Sequence, residues 1–395
     1  MTVLAHGVGQ SADLPLPLDL VLQAGAAAVV VSFLVVAVWW KRPRFGTPAP
    51  ERPAPGRRLR FVVLAAALYL TGNAVLGPQG PENPAAHALF VWLWVGLVPV
   101  SVVFGPVWRE VNPLRTVYRL LRLPARGQWP VPVAAGRWPA AIALLAFVWL
   151  ELVAPHRGEP VVVGSFLLGY AAVQLALATM YGEEWFAAGD AFEVYSTLAG
   201  RLSPLRHRNP LAGIAQTAAG PGLAAFLAVW WGSTIFDSAS GSPAWTALAQ
   251  RTAHPILYGT AGLLVVCASV LVSVRLLAGP PTMTASLIPI AAGYTLAHYL
   301  SSLVVEAPRG LLLTVQQWGL AEDVRWDVVP LPGVIAGIQI TLILAGHVLG
   351  VVVAHDMALA EAPERPVLAT LADELPVVLL MIGYTWAGLF LLFVR

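Results

Sequence analysis

Charge is what this 395-residue chain has least of: charged residues make up 11% and hydrophobic ones 58%, where a soluble domain carries roughly a quarter charged. Too few polar side chains exist to cover a water-facing surface, so most of that surface faces lipid. Lysine is all but missing, with Lys41 alone, and the positive charge is carried by arginine. Cysteine is as scarce. A single Cys267 excludes intrachain disulfides and cysteine-based zinc sites, and its place in an apolar stretch reads as a small buried hydrophobe. P-loop, GxSxG, HExxH, CxxC and dinucleotide fingerprints are absent, and no nucleic-acid partner is expected.

What the chain does have is apolar runs of spanning length. A bilayer core needs about 20 mainly apolar residues per helix. Ten such stretches run from Leu18 to Trp40, Phe61 to Leu76, His87 to Val107, Pro139 to Val153, Val161 to Met180, Pro221 to Ile235, Pro255 to Leu277, Ala285 to Val305, Val334 to Ala354 and Pro376 to Val394. The second, fourth and sixth are short. The expected fold is an all-α polytopic transmembrane bundle of about ten helices, residues 1–395 forming one integral membrane domain in contact with the lipid bilayer.

Alternating these spans across the membrane puts most arginines on one side. The Pro-rich linker 41–60 holds seven basic residues and the loop 109–137 six; Arg201, Arg206, Arg208, Arg275 and Arg365 add five, against Arg157, Arg251, Arg309 and Arg325 opposite. The basic side is cytoplasmic by the positive-inside rule, which puts both termini outside. The loops 109–137 and 182–208 are then cytoplasmic and 306–333 is an outer loop. Lys41 and Arg42, with no small-residue cleavage site, follow the first helix, which reads as retained rather than as a signal peptide.

The two cytoplasmic loops resemble each other. Phe104-Gly105, Trp108, Val117-Tyr118 and Leu121 recur as Tyr181-Gly182, Trp185, Val194-Tyr195 and Leu198. Chance similarity of aromatic-rich loops and duplication of a helix pair both explain this. Asn112 before Pro113 is a helix start, and Asp190 with Glu193 reads as a capping box, so each loop begins a short interfacial helix. In the first of these, Arg115, Arg119 and Arg122 share one face, as a helix lying among anionic lipid head groups would present them.

Ionisable side chains inside the spans are few, and each costs about 2.5 to 3.5 kcal/mol at the bilayer centre on insertion scales. His298 shares a stripe with Tyr294, Ser301 and Ser302; His347 follows Gln339 by two turns, and the two histidines are expected to meet near the midplane. His355, beside Asp356, lies about 12 Å further along the axis than His347. Glu151, Asp237 and Glu306 end spans on the outer side, with His6 and Asp13 on the N-terminal segment, and these acids are expected to line one outward cavity. Solvation at the interface or a helix-to-helix hydrogen bond accounts for each of them equally.

Several stretches resemble a family of multi-pass membrane proteins of high-GC Gram-positive bacteria that carries the name fenitrothion hydrolase. They are GPVWREVNPLRTVYRLL from Gly105, FVWLELV from Phe147, GDAFEVYSTLAGRLSP from Gly189, GSTIFDSASGSP from Gly232, IAAGYTLAHYL from Ile290 and GHVLGVVVAHD from Gly346. With LAHG at Leu4 they cover nearly the whole chain. The resemblance implies a bacterial plasma-membrane protein that hydrolyses organophosphorus triesters, a small-molecule chemistry usually run by divalent metal ions on His and carboxylate ligands. On that expectation His298, His347, His355 and Asp356 are metal ligands, and Glu151 or Asp237 is the base that activates water. Two alternatives rest on the same residues: a transporter or channel for small solutes or ions, and a haem or copper electron-transfer protein.

Overall fold

The computed structural model describes residues 17–45, 57–207, 209–278, 281–361 and 367–393. His6, Asp13, the LAHG stretch, linker residues 46–56, Arg208 and Arg365 lie outside the described residues. Among those described the chain is helical without a strand; one antiparallel bridge joins Arg126 to Gly182.

Each expected span overlaps helical residues, although the third and eighth are broken into several elements. Among the described residues six helices rather than the expected ten, or seven if one bent pair is a single span, are long and apolar enough to cross a membrane, so the chain is a multi-pass membrane protein. These include α1 (Leu18–Trp39), α7 (Pro160–Tyr181) and α13 (Pro255–Leu277). Another joins a π-helical stretch, His87–Val95, to α3 (Leu97–Phe104), and the last two are α16 (Pro332–Glu361) and α17 (Val367–Phe393). Shorter apolar helices are α2 (Arg60–Leu76) and α6 (Trp138–Leu152). The bent pair is α14 (Ile288–His298) and α15 (Leu300–Gln316), with a 61° turn at Tyr299.

The centre of the bundle is α14 with α11 (Leu223–Ser240), both buried along nearly their whole length. Small residues let backbones close up there, as lipid-embedded helices require. A Cβ on Gly293 would sit 2.6 Å from the Leu342 carbonyl, and one on Gly346 2.6 Å from that of Pro289. This is the α14 and α16 crossing. Gly232 meets Cys267 in the same way, which explains the burial of the lone cysteine.

The resemblance between the two loops is structural. Both α3 and α7 end at a glycine of positive φ, Gly105 at +90° and Gly182 at +85°. Each is followed by a five-residue helix, α4 (Val107–Val111) or α8 (Trp185–Gly189), then a polar N-cap, Asn112 or Asp190, then α5 (Pro113–Leu120) or α9 (Ala191–Gly200). The unit reaches back to α2 and α6. Contacts come in matching pairs: α9 packs on α3 and α5 on α7, while α2 meets α4 and α5 as α6 meets α8 and α9. The caps lie one residue further apart than the glycines, so Tyr118 is equivalent to Ser196 and not to Tyr195. Four short helices complete the set: α10 (Pro210–Ala215), α12 (Pro243–Arg251) and 3-10 turns at Arg57–Leu59 and Pro281–Leu287.

Candidate functional site

Among the described residues three polar clusters in the apolar interior hold the sequence-predicted groups, and their hydrogen bonds distinguish their roles. The first stands between the repeats. Asn112 accepts from the Leu114 and Arg115 amides, as a cap should, and donates to Asp190 at 2.7 Å. Asp190 accepts from the Phe192 and Glu193 amides and from the Tyr170 hydroxyl. The capping box is half realised. Glu193 turns away from the cap and accepts from Arg115 Nε and Nη2, both at 2.7 Å.

Arg115 therefore does not face lipid head groups: it is 7% exposed and bridges Glu193 to Glu183. Arg119 also pairs with Glu183, and Arg122 takes a positive φ just after α5. Burial works against the Arg115 charge, but the Glu193 and Glu183 carboxylates more than offset it and hold its pKa above the ordinary value. Burial opposes the Glu183 charge too, and Arg119 with Arg115 outweighs it, so Glu183 stays below its usual range. Burial, with the neighbouring Glu193 charge, pushes Asp190 up to about 6.

The second cluster is at the far end of α16. His355 Nδ1 lies 2.8 and 2.9 Å from the two Glu374 oxygens, and Nε2 lies 3.0 Å from the Trp40 carbonyl. Asp356 accepts from Trp40 Nε1 and from the Arg44 and Phe45 amides. Its geometry fastens the chain after α1 to α16 and α17.

The third cluster surrounds His298, which is fully buried where α14 breaks. His298 Nε2 is 2.7 Å from Asp237 Oδ2 and Nδ1 is 3.0 Å from Ser238 Oγ. Ser238 Oγ also meets the Tyr294 hydroxyl at 3.0 Å and the Thr234 carbonyl at 3.1 Å. Tyr299 packs its ring against the imidazole. Glu151, 3% exposed, is within electrostatic reach of Asp237, Arg157 and Tyr299.

The sequence-predicted residues are thus divided. Glu151, Asp237 and His298 come together. Glu306 instead pairs with His87 at 3.1 Å and with Arg309. His347 is not part of the His298 cluster: Nδ1 bonds the Ile343 carbonyl in its own helix and Nε2 has no partner. Gln339, however, donates to the Ala297 carbonyl, so α16 does reach the end of α14. His298, His347, His355 and Asp356 do not form one ligand set, and no three His, Cys, Asp or Glu side chains among the described residues converge as a metal ion requires. A haem fits no better, since both His298 ring nitrogens are engaged.

Ser238, Glu374 and Glu183, and His87 beside Glu306, are among the polar partners the sequence did not single out. Ser238 adjoins Asp237 and Glu374 is an acid at the edge of an apolar run, which were the available signals. Scans against family models, curated proteins and solved structures return no match.

Proposed function

We propose that the chain is a proton-coupled membrane transporter whose proton site is Asp237 and His298, with Glu151 beside them. One observation carries this: the partners of His298 accept both of its protonation states. Neutral, it donates from Nε2 to Asp237 and accepts at Nδ1 from the Ser238 hydroxyl. Protonated, Nδ1 donates to Ser238, whose hydrogen turns to Tyr294 or the Thr234 carbonyl. Neither state strands a buried polar group, which would cost about 1–3 kcal/mol.

His355 and His347 lack this freedom. His355 faces a carbonyl and a carboxylate, so its pair with Glu374 must hold a proton. Protonating His347 would bury a second N–H with no acceptor. The position of the cluster supports the same reading: transporter sites gather at broken helices between repeats, and His298 stands at the α14 break.

Proteoliposomes loaded with a pH dye test it against a panel of small solutes. The transporter changes lumenal pH when its solute is added, and Asp237→Asn and His298→Ala each abolish the change. Infrared difference spectra between about pH 5 and about pH 9 follow the proton without a solute. A carboxyl signal indifferent to Asp237→Asn refutes the site.

A second reading has one observation in its favour. Ser238, His298 and Asp237 stand in the order nucleophile, base and acid at hydrogen-bond distance, and the family resemblance implies triester hydrolysis. In that reading the Ser238 hydroxyl, not a metal-bound water, attacks phosphorus. Purified protein then releases the phenol in the presence of a chelator, and Ser238→Ala stops it.

A further inference from the structure

A neutral imidazole has one hydrogen to give, and His355 faces two acceptors. Nε2 lies 3.0 Å from the Trp40 carbonyl, and Nδ1 lies 2.8 and 2.9 Å from the Glu374 oxygens. Both contacts are hydrogen bonds only while the pair of His355 and Glu374 holds one proton more than a neutral ring and a carboxylate contain. Once that proton leaves, the ring must choose. A bond to a charged acceptor is roughly twice as strong as one to a neutral acceptor, so the remaining hydrogen stays on Nδ1 for Glu374. The Nε2 lone pair then points at the Trp40 carbonyl, and the side chains of His355 and Glu374, 3% and 2% exposed, leave little water to relieve it.

Trp40 is the residue by which α16 grips the chain leaving α1. Its carbonyl is held by His355 and its Nε1 donates to Asp356 at 2.8 Å. The Arg44 and Phe45 amides donate to the same Asp356, at 2.6 and 3.1 Å, and Gln216 donates to the Phe45 carbonyl. The charges that bear on His355 are Glu374 from α17 and Asp356 from its own helix. From the α1 side Arg44 stands over the Trp40 ring at 4.1 Å. Loss of the shared proton therefore removes a positive charge from between two buried carboxylates as well as a bond to Trp40. Both changes loosen the same short segment, Trp40 to Phe45.

We propose that His355 and Glu374 form a proton-locked latch on the end of α1. With the shared proton in place the segment from Trp40 to Phe45 is fastened to α16; as pH rises and the proton leaves, His355 keeps Glu374, drops the Trp40 carbonyl and lets the segment go. The latch goes beyond the proton-coupled reading and stands apart from it, since no step involves Asp237 or His298.

Hydrogen exchange of the full chain in detergent tests this on the Arg44 and Phe45 amides between about pH 7 and about pH 10, where carboxylates do not ordinarily titrate, after correction for the intrinsic pH dependence. Wild type is expected to lose protection as pH rises, by up to about tenfold per pH unit, the limit for one proton, while the amides of α11 and α14 keep theirs. Glu374→Gln is expected to lock the latch. Its carboxamide donates to Nδ1 and the neutral ring donates from Nε2 to Trp40, so no extra proton is needed and protection no longer depends on pH. An ion pair of merely structural value predicts the opposite for this variant, protection lowered at every pH. Trypsin gives a readout that needs no variant: cleavage of wild type after the exposed Lys41 and Arg44, relative to an unstructured peptide, is expected to accelerate with pH. Protection or cleavage that does not change with pH in wild type, a loss of protection shared by α11 and α14, or a Glu374→Gln protein less protected than wild type at about pH 7 overturns the proposal.

Discussion

Asn112 Nδ2 donates to Asp190 Oδ2 at 2.7 Å, tying the first turn of α5 to the first turn of α9. Each residue caps its own helix, so the bond joins equivalent points of the two repeats. A cap contributes about 1 kcal/mol, and this one also satisfies a buried acid.

Asp190 sets a pH dependence whose sign follows from its environment. Its ordinary value of 3.8 rises to about 6 in the folded protein, through burial first and the Glu193 charge second. A raised carboxyl contributes stability that is fully present below the unfolded value and is lost as pH rises through the folded one, on the order of 3 kcal/mol here. Melting in detergent should therefore show wild type losing ground to Asp190→Asn between about pH 4 and about pH 6. Glu183 is shifted the other way and acts only at the acid end.

The paired glycines separate conformation from space. Both hold φ near +90°, which costs a non-glycine residue about 1–3 kcal/mol. A Cβ on Gly105 meets the flexible side chain of Arg206, but one on Gly182 lies 2.6 Å from the Gly127 amide and 2.8 Å from the Ala125 carbonyl, which cannot step aside. Gly182→Ala should lower the melting temperature clearly more than Gly105→Ala. Equal losses would mean that conformation alone decides.

Helix positions were legible because lipid demands long apolar runs, and the pairing of Glu151, Asp237 and His298 was legible in part because charge inside such runs is rare. Partners were not. Arg115 and Glu193 are far apart in sequence, and an amphipathic arginine stripe looks the same whether it meets lipid phosphate or a protein carboxylate. His347 and His355 carried the same residue-type signal as His298. Only the packing shows that His347 spends its proton on its own helix and His355 on Glu374.

Arg115 illustrates the consequence. Its guanidinium compensates Glu193, which is 1% exposed, so Arg115→Ala leaves a buried charge alone and should cost about 3–5 kcal/mol. Adding Glu193→Gln should recover a large part of that loss in the same melting assay. Anionic lipid supplied to the single variant should recover none.

The histidines should respond unequally. His347→Leu removes an orphaned nitrogen and should leave stability within about 1 kcal/mol of wild type with the proton signal intact. His355→Leu strands Glu374 and should destabilise by about 3 kcal/mol or more. His298→Ala should abolish the proton signal. If His347→Leu abolishes it as well, the two histidines act as one site and the separation argued from their hydrogen bonds is wrong.

Orientation remains to be read from charge, and the loop surfaces offer clean probes. Gln128 is exposed on the arginine-rich loop before α6, and Gln250 is exposed on α12 between α11 and α13. Ser203 is a poor alternative on the basic side, because it is fully buried and its hydroxyl donates to the Val103 carbonyl. Cys267 is buried against Gly232 and should stay silent. In intact cells a membrane-impermeant thiol reagent should therefore label Gln250→Cys and spare Gln128→Cys, the latter reacting only once the membrane is opened. The asymmetry of seven, six and five basic residues against four motivates that outcome through the positive-inside rule. Labelling of Gln128→Cys with Gln250→Cys protected would invert the bundle, placing the Asp237 and His298 cluster nearer the cytoplasm and the clasp of His355 and Asp356 outside.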